Sequence, residues 1–317
     1  MERSLSDPSP GGRTSATGPF SFSTRLVDLH DSRRARTLPL KLYLPDTPQP
    51  CGLILFSHGL GGSRQGAADW LEHWAAQGFG AIAVQHPGSD VGLLRNNSPL
   101  ALRKAFRLAM NPDELARRVE DMRFVLERIG RDTQLPHAIN RATRIGLCGH
   151  SFGAVTVQLL AGERRPGHAL RTLDPRVAAA LAFSPSARQT EAGPGLDQRF
   201  GQIRLPFFSL TGSRDDGMGL SDISAANREL PYRHMPPGDK YLLVFAGGTH
   251  LDFAGQASAA EGMIFHIHRE PPVFRDNLLA ASTAFWRAYL ADDQDARRWL
   301  ISTLPDRLRP ADRLEHK

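Results

Sequence analysis

Residues 144–163 read Arg-Ile-Gly-Leu-Cys-Gly-His-Ser-Phe-Gly-Ala-Val-Thr-Val-Gln-Leu-Leu-Ala-Gly-Glu. A short apolar run meets Gly149-His150-Ser151-Phe152-Gly153, and a helical pattern follows at once. The stretch predicts a strand, a sharp turn and a helix, with a serine at the tip. A side chain at Gly149 or Gly153 would collide with the neighbouring strand or helix in so tight a turn. The helix then points its free N–H groups and positive dipole end at the serine, where a developing oxyanion would be stabilised. With 29 glycines in 317 residues, G-x-S-x-G arises by chance in about one such chain in five. The rest of the chain therefore has to supply the other parts a reactive serine needs.

Residues 21–30 and 36–44 alternate apolar and polar side chains and predict an early hairpin. Continuous apolar runs at 52–57, 79–84, 145–148, 177–183, 203–210 and 241–245 have the composition of strands buried on both faces. Helical patterns lie between them. At 66–77, Trp70, Leu71 and Trp74 fall at helical spacing and predict core positions. Asn111 precedes Pro112 and Glu114 as a helix cap. Residues 277–300 predict one amphipathic helix. The reading is α/β: a mostly parallel central sheet with helices on both faces. A single domain is expected over 21–304, with loop insertions near 91–111 and 217–239. Residues 1–20 read as a disordered leader and 305–317 as a flexible tail.

The leader is rich in Ser, Pro and Gly and holds no apolar core of a signal peptide. No stretch has the length and apolarity of a membrane span. Cys51 and Cys148 give no disulfide framework, and both fall in or beside buried strands. A cytoplasmic location is expected. The formal charge of +6 comes from scattered arginines such as Arg117, Arg118, Arg164 and Arg165. Such pairs predict solvated helix faces, and the absence of a long basic run argues against a nucleic-acid partner.

A serine hydroxyl is a weak nucleophile and needs a base, which in turn needs an orienting acid. In chains built on such an elbow the acid and then the histidine follow the serine. His250 follows the last apolar run through Gly247-Gly248 and is the expected base. His168, His234, His266, His268 and His316 also lie downstream, but none directly follows a buried strand. His266 and His268 could suggest a metal pair, yet no third ligand is evident; no metal and no cofactor is expected. Asp215 leads as the acid, with Asp216 beside it as the alternative. The oxyanion donors are expected to be the backbone N–H groups of Leu60 and Phe152, with Gly59, Gly61 and Gly62 letting the backbone approach. His58 is expected to shape that loop and His150 to pack at the turn.

Phe56-Ser57-His58-Gly59-Leu60-Gly61, Gly149-His150-Ser151-Phe152-Gly153-Ala154 and Gly248-Thr249-His250 together resemble the α/β-hydrolases. Within them the chain resembles the platelet-activating-factor acetylhydrolase and predicted dienelactone hydrolase branch. The resemblance spans roughly 24–300 and includes Ala284-Phe285-Trp286-Arg287-Ala288-Tyr289-Leu290. It implies a serine esterase with Ser151 and His250 catalytic, Leu60 and Phe152 at the oxyanion, a small-molecule ester as substrate and no metal. Two departures stand out. The acetylhydrolases carry their acid one strand earlier, where this chain has Ser184. Dienelactone hydrolases use cysteine where this chain has Ser151. The same machinery would serve a thioesterase or amidase, and a silent binding protein of this fold is the alternative from another class.

Overall fold

A computed structural model describes residues 18–94, 99–165, 173–188, 195–217, 221–255 and 272–317. The expected leader lies almost wholly outside them, as do His168, His266 and His268. Among the described residues nine strands form one sheet: β1 (Phe22–Asp31), β2 (Arg36–Pro45), β3 (Leu53–Ser57), β4 (Gly80–Val84), β5 (Ile145–His150), β6 (Val177–Phe183), β7 (Phe207–Arg214), β8 (Lys240–Thr249) and β9 (Arg313–His316). Their spatial order is β1-β2-β4-β3-β5-β6-β7-β8-β9. The six strands from β4 to β8 pair parallel, while β1, β2 and β9 are antiparallel.

Both faces of the parallel strands are apolar, and successive side chains go to opposite cores. Ile54, Phe56, Cys148, Leu181 and Phe183 pack with Trp70, Trp74, Phe285 and Trp286 on one face. Leu53, Leu55, Leu147, Ala180 and Ala182 pack with Met122, Val125 and Val157 on the other. The first face is covered by α1 (Ala68–Ala76) and the helix Arg275–Leu290. The second is covered by α3 (Pro112–Arg128) and α5 (Phe152–Ala161). Asn111 caps α3 as expected, accepting the Glu114 N–H at 2.8 Å. Burial pushes the Cys148 thiol well up, so it packs as an apolar group.

Several expectations are corrected. The connection at 91–111 is not an open loop: it holds a turn of 3-10 helix (Val91–Leu94) and α2 (Pro99–Ala109), whose Phe106 and Ala109 are buried three residues apart. The strand expected at 203–210 starts after Pro206, which has no N–H for a ladder, and runs on to Arg214. The short helices α4 (His137–Asn140) and α6 (Leu196–Phe200) complete the loops around β5 and β7. The expected insertion at 217–239 contains α7 (Ala225–His234), started by reciprocal capping between Ser224 and Asn227. The helix expected at 277–300 is two, because Asp292 turns the chain at φ 57° and Asp293 caps Gln294–Ser302. The tail from 305 is not frayed: β9 lies antiparallel on β8, with Lys317 and Lys240 exchanging N–H···O bonds of 3.0 Å.

Candidate active site

The register aligns the C-terminal ends of five parallel strands. Ser57 pairs with Gly149, His150 with Phe183, and Phe183 with Leu210. His58, Ser151, Ser184, Asp215 and His250 therefore leave the sheet along one edge, where open α/β sheets build their sites.

Ser151 is the N-cap of α5, at φ 55° and ψ −114°. That backbone is strained for any residue with a Cβ and persists only because its surroundings fix it. The Ser151 N–H donates to Phe183 O at 3.0 Å. A Cβ on Gly153 would run into the carbonyls of Ser57 and His58, and one on Gly149 into Gly153, so both glycines are required by close backbone approach. The turn 59–62, closed by Gly62 N–H to Gly59 O at 3.1 Å, lies against it: a Cβ on Gly59 would sit 3.5 Å from Ser151 Cβ. Leu60 follows Gly59 in that turn and Phe152 opens α5, so both expected oxyanion residues flank the serine.

His250 opens a 3-10 turn (His250–Phe253) at the end of β8. The turn is pinned by Phe253, which is buried beside Phe245 and Phe274, while Trp70 Nε1–H donates to Phe253 O at 3.2 Å. Asp252 receives both the N–H and hydroxyl of Thr249 at 2.7 Å and so closes the turn instead of orienting the base. His250 Nε2 lies 2.9 Å from Ser151 Oγ, and Nδ1 lies 2.7 Å from Asp215 Oδ1. The carboxylate cannot donate, so Nδ1 carries the proton and Nε2 is left to accept from the serine hydroxyl. Of the neighbouring aspartates, Asp215 is buried and bonded to His250, whereas Asp216 is exposed. Thr211 Oγ1–H donates to Asp215 Oδ2 at 2.8 Å. Burial alone would raise the Asp215 carboxyl. The bond from His250 and the charge of Arg228 outweigh it and hold the group at about 2.

His150 is less passive than expected. Its ring centroid is 4.8 Å from that of His250, and its Nε2–H donates to His250 O at 3.2 Å. Burial, then the neighbouring His250, push it down to about 3, so it stays neutral beside the base. His58 shapes its loop as expected: Nδ1–H donates to Gly59 O at 2.6 Å, and Nε2 accepts the His86 N–H at 3.0 Å. Trp70 and Trp74 are core residues. His234 pairs with Asp197 on the surface and His316 stacks on Tyr241, away from the edge.

A second polar row lies beneath the 58–62 loop. Ser57 Oγ is 3.0 Å from His86 Nε2, and His86 Nδ1 is 3.0 Å from Asp121 Oδ2. Arg118, expected on a solvated face, is fully buried here. It donates to Ser57 Oγ at 3.1 Å, Ser89 Oγ at 2.9 Å and Thr156 Oγ1 at 3.3 Å, and closely to His58 O. Its guanidinium carbon lies 4.8 Å from the Phe152 ring centroid. Arg118 thus touches the start of the 58–62 loop and the Phe152 ring, on the two elements that carry the expected oxyanion residues. The sequence held one signal for it: Arg118 and Asp121 are three apart and share a face of α3.

Among the described residues no group of three or more His, Cys, Asp or Glu is placed to hold a metal ion, and no helix is long and apolar enough to cross a membrane. No protein-family model matches the chain, and no curated protein is significantly similar to it.

Proposed function

We propose that this chain is a serine hydrolase of the α/β-hydrolase fold that cleaves carboxylic esters through an acyl-enzyme. The observation that carries the reading is the bonded row Ser151–His250–Asp215, at 2.9 and 2.7 Å, with its serine on a strained turn that opens a helix. Ser151 Oγ attacks the ester carbonyl while His250 Nε2 takes its proton. The N–H groups of Leu60 and Phe152 receive the oxyanion, helped by the α5 dipole. The imidazolium, steadied by Asp215, gives its proton to the departing alkoxide. Water then attacks the acyl-serine with His250 again as base, releasing the acid and restoring Ser151. The substrate class is a short- to medium-chain ester, following the resemblance to the acetylhydrolase branch. The acid on β7 in place of Ser184 sets the chain apart from those acetylhydrolases.

Hydrolysis of p-nitrophenyl esters from acetate to palmitate, with wild type and Ser151→Ala side by side, tests the reading. Turnover that depends on Ser151 and falls with chain length supports it. A well-folded wild type without turnover would support the silent binding protein instead.

A further inference from the structure

Arg228 reaches the site from α7, inside the segment that the sequence presents as an insertion. Its side chain is 4% exposed. Nε is 3.0 Å from Asp215 Oδ1 and 3.3 Å from Asp215 O. One terminal nitrogen donates to Ser184 O at 3.0 Å. The other donates to Asp216 O at 3.3 Å and stands 3.0 Å from His250 Nδ1. The guanidinium thus ties the end of β6 to the end of β7 and meets the same carboxylate oxygen, Oδ1, as the imidazole beside it.

The contact with His250 is the informative one. Nδ1 cannot donate to Asp215 and accept from Arg228 at once. The Nδ1–H donates to the carboxylate at 2.7 Å, so Arg228 faces it N–H to N–H. That juxtaposition is unfavourable for a neutral imidazole and worse for an imidazolium. Solvation by other groups does not remove the conflict. Around His250 stand Asp215 from β7, Arg228 from α7, the neutral His150 from β5, the Ser151 hydroxyl at the start of α5, and Asp252 on its own turn, engaged by Thr249. Arg228 is the one cation in direct contact with the imidazole among the described residues.

We propose that Arg228 is a positioning residue of this site: from α7 it fixes the Asp215 carboxylate, and the chain ends that carry Ser184 and Asp216, in the geometry that orients the His250 ring. The inference rests on the hydrolase reading. Burial would raise the Asp215 carboxyl; the His250 bond and then the Arg228 charge outweigh it and keep the carboxylate ionised as the acceptor of the Nδ1–H.

The test is kcat and KM for p-nitrophenyl acetate at pH 8 in wild type, Arg228→Gln and Arg228→Lys. Glutamine keeps donors without charge, and lysine keeps charge without the planar fork. Arg228→Gln should lower kcat by about tenfold or more with KM little changed, because a displaced carboxylate misorients His250 without touching substrate. Arg228→Lys should recover part of that loss by restoring the charge beside Asp215. Wild-type kcat in Arg228→Gln, or a loss carried by KM, overturns the proposal. If the glutamine variant does not fold, the lysine variant reads the same split: a lowered kcat with KM unchanged is expected, and wild-type kcat overturns the proposal. Wild-type turnover insensitive to Ser151→Ala would instead overturn the hydrolase reading itself, so the two failures are distinct.

Discussion

Ser57, His86 and Asp121 are joined as Ser151, His250 and Asp215 are: by 3.0 and 3.0 Å in one row, and 2.9 and 2.7 Å in the other. The rows differ in what surrounds them. All three members of the first are sealed from solvent, and Ser57 sits in the ladder of β3. Its hydroxyl also accepts from Arg118, which draws electron density from the oxygen that would have to attack. Asp121 is shared with Arg34 and Arg36 as well as His86. Burial, then the Arg118 charge, hold His86 down to about 4. Ser151 is half-buried, held at a strained φ, and opens a helix beside the 59–62 turn. A bonded serine, histidine and aspartate are therefore not enough to make a nucleophile. Partial exposure and a strained, helix-opening backbone distinguish the row proposed to react from the row that braces the loop above it.

Exchanging single atoms between the rows should separate them. The largest effect is expected from Ser151→Ala, which should lower ester turnover by about 10⁴-fold or more with an unchanged Tm. Ser57→Ala should keep turnover within about tenfold. Asp215→Asn should cost about 10³- to 10⁴-fold in kcat, while Asp216→Asn should cost less than about threefold; kinetics at pH 8 checks the ranking, and the reverse order would move the acid to Asp216. Arg118→Met strands the acceptors Ser57, Ser89 and Thr156 and the carbonyl of His58, so unfolding by denaturant should show a loss of about 3 kcal/mol. In the same variant kcat should fall with KM little changed, because the oxyanion turn loosens.

Smaller, and spread over the fold, is the dependence of stability on pH. His73 and His86 are held down to about 4 and His150 to about 3, burial being the first cause in each. A histidine whose folded pKa is depressed contributes stability that is fully present above its unfolded value of about 6.5 and lost as pH falls toward the folded one. Tm should therefore decline between about pH 6.5 and 4. Replacing His86 by Asn should flatten that decline, and an equally steep decline would remove the buried row from the explanation.

The pattern of legibility follows the range of the forces. The parallel strands are visible because each must be apolar on both faces, and the elbow because its glycines answer to local backbone contacts. His250 and Asp215 follow from where strands end. Which of Asp215 and Asp216 faces His250 is not legible in the chain, because it depends on how Thr211 and Arg228 fold over Asp215. Arg118 and Arg228 look like surface charges in the chain, since their partners come from β3, β4, β6 and β7 and are distant in sequence. In the sequence α7 reads as part of a loop, because Pro231 inside the helix breaks its pattern; Ser224 and Asn227 cap it in the structure. β9 carries a four-residue alternation that gains meaning only beside the edge of β8.

The most direct test of the central claim is covalent. The protein would be treated with a fluorophosphonate at neutral pH, and the modified peptide mapped by mass spectrometry. One adduct on Ser151, absent from Ser151→Ala and slowed in Asp215→Asn, is the expected result. An adduct on Ser57, or none on a folded protein, would contradict the account.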